Sequence, residues 1–135
     1  MPAANQRALA LQLIRLSLLA GVLLFGAVDV IVHRQPSWKA EILPAVIGYA
    51  LVVVAIVAVS IAVLLKGRLG READPERRSA LLILGWAAGE AAGLFGAVIF
   101  YLTGQGQWYL FGLLAMLCTF VLLRPDASMS VAASA

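Results

Sequence analysis

The chain has 135 residues, of which 63% are hydrophobic and 13% charged, with a formal net charge of +3 and a mean hydropathy of +0.98. That composition lies outside the soluble range, so the chain is expected to bury its apolar surface in lipid. The ten basic residues are scattered at the ends of apolar runs with no basic stripe, which argues against a nucleic-acid partner. One cysteine, Cys118, and one histidine, His33, exclude an intramolecular disulfide, a Cys/His zinc site and a bis-histidine haem within one chain.

The first apolar segment runs from about 9 to 32, interrupted by Arg15 and Asp29. Arg7 and Arg15 precede an apolar stretch as in a secretory signal, but the run continues to Val32 without a small-x-small cleavage pattern, so the segment is expected to be retained. Arg15 and Asp29 are close to four helical turns apart and share one face, with Gly26 between them. The stripe reads as interfacial anchors, with a hydrated Asp29, or as a crude ion path. The second segment, 42–65, carries no charge between Glu41 and Lys66 and is long enough to cross a hydrocarbon core of about 30 Å.

Asp74-Pro75-Glu76 reads as an N-cap, a first-turn proline and a first-turn acid, so a third helix starts there in water. From Ser79 to Leu123 the only charge is Glu90, too long a stretch for one crossing. The polar Thr103-Gly104-Gln105-Gly106-Gln107 therefore predicts a turn between a third helix at 80–102 and a fourth at 108–123. The fourth is short and relies on Gln107 and a snorkelling Arg124 to complete its span, with Pro125 ending it. The fold class is thus all-α, one transmembrane domain over 1–125 with four helices as two hairpins. A polar tail, 126–135, is expected to be disordered.

Arg7, Arg15, Lys66, Arg68, Arg71, Arg77, Arg78 and Arg124 fall on one side of this topology and Arg34 and Lys39 on the other, which puts both termini in the cytoplasm. Trp38, Tyr101, Trp108 and Tyr109 supply an aromatic belt opposite. Leu24-Phe25-Gly26-Ala27-Val28 recurs as Leu94-Phe95-Gly96-Ala97-Val98, a spacing of 70 residues that a duplicated hairpin or a restricted alphabet would both produce.

Glu90 lies about midway along the third helix, where an acidic side chain costs on the order of 2.5 to 3.5 kcal/mol and something must offset it. It reads as an ion carrier, as a neutral group hydrogen-bonded to a neighbouring helix, or as the partner of Arg15. Around it Gly85, Gly89, Gly93 and Ala97 recur every four residues and Gly96 broadens them into a ridge for close helix contact, within the chain or between copies. No phosphate loop, nucleophile with a base, or metal-ligand cluster is present in the sequence, so the expectation is no enzyme, no cofactor and no metal.

The segment Gly85-Trp86-Ala87-Ala88-Gly89-Glu90-Ala91-Ala92-Gly93-Leu94-Phe95-Gly96-Ala97-Val98 resembles the carboxylate helix of the proteolipid c subunits of rotary ATPases, and Arg34-Gln35-Pro36 is similar to that family's polar loop. The resemblance implies Glu90 as a proton or sodium carrier. It covers about 20 residues, and it departs from the family in order: there the carboxylate helix directly follows the loop, whereas here the uncharged second segment does. As a whole the chain is similar to small uncharacterised four-helix bacterial membrane proteins, which implies a fold and no activity. The reading is an accessory or stabilising subunit of a larger membrane complex, partnered by lipid and by other subunits or a second copy; the alternative is a proton- or cation-translocating protein centred on Glu90.

Overall fold

The computed structural model describes residues 2–33 and 45–124; the Arg34-Gln35-Pro36 loop, Trp38, Lys39 and the tail lie outside them. It is all-helical: α1 (Pro2–His33), α2 (Ala45–Leu69), α3 (Pro75–Thr103) and α4 (Gly106–Leu122). Three of these, α1, α2 and α3, are long and apolar enough to cross a membrane, whereas α4 has 17 residues and is about 25 Å long at about 1.5 Å per residue.

The helices run past the apolar segments because their outer turns are built for water. Asp74 is extended at φ −78° and ψ 116°, and its carboxylate accepts from the Glu76 N–H at 2.9 Å, with Pro75 behind it. Helix α3 therefore begins at Pro75, five residues before the apolar run. At its other end Gly104 takes a left-handed conformation, φ 69°, that lets its N–H reach the Phe100 carbonyl at 2.7 Å. The Thr103 hydroxyl takes the Gln105 N–H at 3.2 Å and the Gln105 amide takes the Trp108 indole at 2.9 Å, so the reversal into α4 is tighter than the sequence predicts.

Helix α3 is the centre of the bundle, packing against α4 most closely and against α2 and α1 on its other faces. Small residues make this possible. A Cβ added at Gly96 would sit 2.6 Å from the Trp108 carbonyl oxygen and 3.1 Å from Gly112 Cα, so α3 and α4 touch backbone to backbone there. Helix α2 brings Ala55, Ala58 and Ala62, all buried, against the α3–α4 hairpin. Helix α1 lies on the other flank, parallel to α3 with a register of 69 residues at Arg7 and Glu76 and 71 at Val22 and Gly93. The two Leu-Phe-Gly-Ala-Val copies consequently stand at the same level, but α1 and α2 do not repeat the close packing of α3 and α4.

The register places all eight basic residues of the described part at one end of the bundle and Tyr49, Tyr101, Trp108 and Tyr109 toward the other. Leu65 and Leu123 both pack on Gly85. Lys66 and Arg124, each next in sequence, thus join Arg15 in a basic collar at the level where α4 stops, about 15 Å inside the start of α3.

Candidate functional site

Charged residues inside the apolar part of the bundle are the candidates, and each is held differently. The last four carbonyls of a helix have no partner within it. At the end of α4 the Thr119 carbonyl takes the Leu123 N–H at 3.0 Å, the Phe120 carbonyl takes the Arg15 guanidinium at 3.3 Å, and the Leu123 carbonyl takes the Trp86 indole N–H at 3.2 Å. The Arg15 guanidinium also lies over the Phe120 ring, 5.5 Å from its centroid. A cation at the negative end of a helix dipole is favourable, so Arg15 serves as a cap supplied by another helix. It is not the partner of Glu90. Arg124, close enough to repel the guanidinium, marks how crowded with charge the collar is.

Asp29 is fully buried, contrary to the hydrated position expected from sequence. Gly26 lies one turn earlier on the same helix. A side chain there would overlap the Tyr109 ring, so glycine admits that ring against α1. The Tyr109 hydroxyl donates to the Val22 carbonyl at 3.1 Å and stands within electrostatic range of Asp29. Arg15, Gly26 and Asp29 do share the inward face of α1, but they belong to separate polar contacts, Arg15 near its middle and Gly26 and Asp29 in its last turns.

Glu90 lies on the side of α3 that meets α1, level with α1 residues 19–21 by the register above. It is half-buried and makes no hydrogen bond or ion pair with any described residue. Counting along α3, it is about 7.5 Å from Gly85 at the collar and about 20 Å from Thr103, so between collar and turn it lies in the half nearer the collar. Its surroundings are small: Ala87 and Ala91 are exposed beside it, and Gly21 of α1 has open space where a Cβ would be.

The glycine ridge turns away from this flank. Gly85 meets Leu123 and Leu65, Gly89 meets the Thr119 hydroxyl, and Gly96 meets the α4 backbone. Gly93 sits between Met116 of α4 and Val22 of α1, and Ala97 is fully buried. Comparison with protein-family models, curated proteins and solved structures gives no match. Among the described residues no three His, Cys, Asp or Glu side chains gather as metal ligands.

Sequence reasoning missed the roles of Arg15, Trp86 and Tyr109. The signal for the first two was present: a fourth helix too short for its neighbours needs donors at its end, and a tryptophan and an arginine were the donors available at that level.

Proposed function

We propose that the chain is a non-enzymatic, four-helix accessory subunit of a larger assembly in the bacterial inner membrane, held there through the flank of α1 and α3 around Glu90. The observation that carries the reading is the half-buried carboxylate of Glu90, which pairs with no described residue, at an apolar level of the bundle. A carboxylate among lipid chains costs on the order of 2.5 to 3.5 kcal/mol, and a donor from a neighbouring subunit offsets that cost. The flank is shaped for close approach, with Ala87, Ala91 and Gly21 beside the acid. The glycine ridge is already occupied, by α4 with Leu65 of α2 and Val22 of α1, whereas this flank is open. With eight basic residues at one end, that end faces the cytoplasm, and both termini with it.

The test is site-specific photocrosslinking in native membranes from Ala87 and Leu94, which flank Glu90, with Ile56 on the far side of α2 as control. Crosslinks to one discrete polypeptide from the first two positions alone are expected; lipid adducts alone from all three would end the proposal.

A second reading is proton or cation carriage by Glu90, favoured by the same exposure, since a carrier must present its carboxylate to a neighbour. Proton flux in vesicles containing the Glu90→Gln protein separates the two: carriage requires its loss, whereas an association role leaves it unchanged.

A further inference from the structure

At the basic end, where the last turn of α2 meets the first turns of α3, a groove of about 380 Å³ is lined by Arg68, Arg71, Glu72, Arg77, Ala80 and Leu81. Three positive charges face one negative one. The Glu72 carboxylate is turned toward the backbone, accepting from the Asp74 N–H at 3.3 Å, and Arg77 lies 3.7 Å from Asp74. Arg68 and Arg71 are exposed and enter no ion pair with a described residue, so the groove has cationic capacity to spare.

Its inner wall is apolar, and the apolar surface continues away from the charges. Leu84 is one turn on from Leu81 along the same face of α3, and Leu64 is one turn back from Arg68 along the same face of α2. Both are largely open, 57% and 69% exposed. Leu64 and Leu84 also stand at one level, that of Gly85 and the collar of Arg15, Lys66 and Arg124. A molecule with an anionic head and an apolar chain pointing into the bundle's lipid-facing surface satisfies both parts; a free anion satisfies only the first.

We infer that this groove is a binding site for one anionic phospholipid, its phosphate held by Arg68 and Arg71 and an acyl chain lying past Leu81, Leu84 and Leu64. Arg77 contributes field, and its contact with Asp74 keeps it in place. Planar guanidinium groups suit a phosphate because they offer paired donors in a fixed fork.

The experiment uses the full chain, stripped of lipid in a neutral detergent and titrated with phosphatidylglycerol under native mass spectrometry. Saturation at one tightly held lipid per chain is expected, with phosphatidylcholine of the same acyl chains at least about tenfold weaker. Arg68→Gln with Arg71→Gln should weaken phosphatidylglycerol roughly thirtyfold, from about a fivefold contribution per interfacial arginine. The charge-preserving pair Arg68→Lys with Arg71→Lys should retain most of the binding, and Lys66→Gln, outside the groove, should change it by less than about twofold. Unchanged affinity in the double glutamine variant overturns the site. An equal loss in Lys66→Gln overturns it too, by showing a diffuse charge effect. Displacement of the lipid by millimolar inorganic phosphate would assign the groove to a free anion instead.

Discussion

The Tyr109 hydroxyl reaches across from α4 to donate to the Val22 carbonyl of α1 at 3.1 Å, through the space that Gly26 leaves open. In a helix the carbonyl of one residue is flanked by the side chain four positions on, and Gly26 is four positions on from Val22. The glycine therefore admits the ring and uncovers the acceptor together. Gly26→Val should expel the ring and destabilise the protein by about 1 to 3 kcal/mol. Tyr109→Phe should cost only about 0.6 kcal/mol, because it keeps the packing. Unfolding in mixed detergent micelles measures both; equal costs for the two variants would show that the ring, and not the space, is incidental.

Gly96 and Gly93 differ in what a methyl group would meet. At Gly96 it meets the Trp108 carbonyl at 2.6 Å, and backbone cannot step aside, whereas at Gly93 it meets the Met116 sulfur and a Val22 methyl at 3.2 Å, and side chains can. Gly96→Ala should cost more than Gly93→Ala, by about 1 to 2 kcal/mol in the same unfolding assay. The reverse ranking would mean that α3 and α4 cross elsewhere.

Arg15 caps α4, so its loss should be felt at the far end of a different helix. Arg15→Leu should destabilise by about 1 to 2 kcal/mol and speed amide exchange in the last turn of α4. Because Arg15 is turned to Phe120, combining Arg15→Gln with Glu90→Gln should give additive effects, within about 0.5 kcal/mol. A coupling well above that would restore the ion pair between them.

Glu90→Gln keeps volume and hydrogen bonding but removes the charge. In the isolated chain it should shift stability by less than about 0.5 kcal/mol, since no described residue pairs with it. The crosslink from Leu94, in contrast, should weaken or vanish, and more so in Glu90→Leu. Unfolding of the isolated Glu90→Gln chain at much lower denaturant would place the acid's partner inside this chain.

The orientation is open to direct measurement. With Cys118 replaced by Ser, single cysteines at Ala73 in the α2–α3 loop and at Ser37 test the proposed orientation. An impermeant thiol reagent added outside intact cells should label position 37 and leave position 73 unlabelled. Labelling of 73 alone would invert the protein.

Much of the helical layout could be read from charge alone, since Lys66, Asp74 and the Thr103 to Gln107 stretch bracket the apolar runs. What could not be read is which helix lies against which. Arg15 and Glu90 enter from the same side at similar depth, so pairing them was reasonable, and only the stopping point of α4 shows that the guanidinium has another acceptor. Nor does a local pattern announce that Asp29 is buried, or that Gly26 receives the ring of a tyrosine 83 residues later. Glu90, by contrast, was conspicuous because a lone charge in a 45-residue apolar stretch needs no neighbours to be noticed.

Helix α1 is made before α3 yet rests on it, with little or no contact to the α2 that follows it in the chain. From His33 to Thr103 the ribosome adds 70 residues, about 4 to 14 s of translation at roughly 5 to 20 residues per second. Throughout that interval α1 has no Tyr109 to receive and no Phe120 carbonyl to cap, and its inward face, Arg15 and Asp29 included, has to be sheltered by something other than its final neighbours. Until α3 is made, α1 is therefore a single polar-striped helix awaiting its mate, and insertion factors that retain such helices should hold nascent chains truncated before residue 103 far longer than chains that extend through α4.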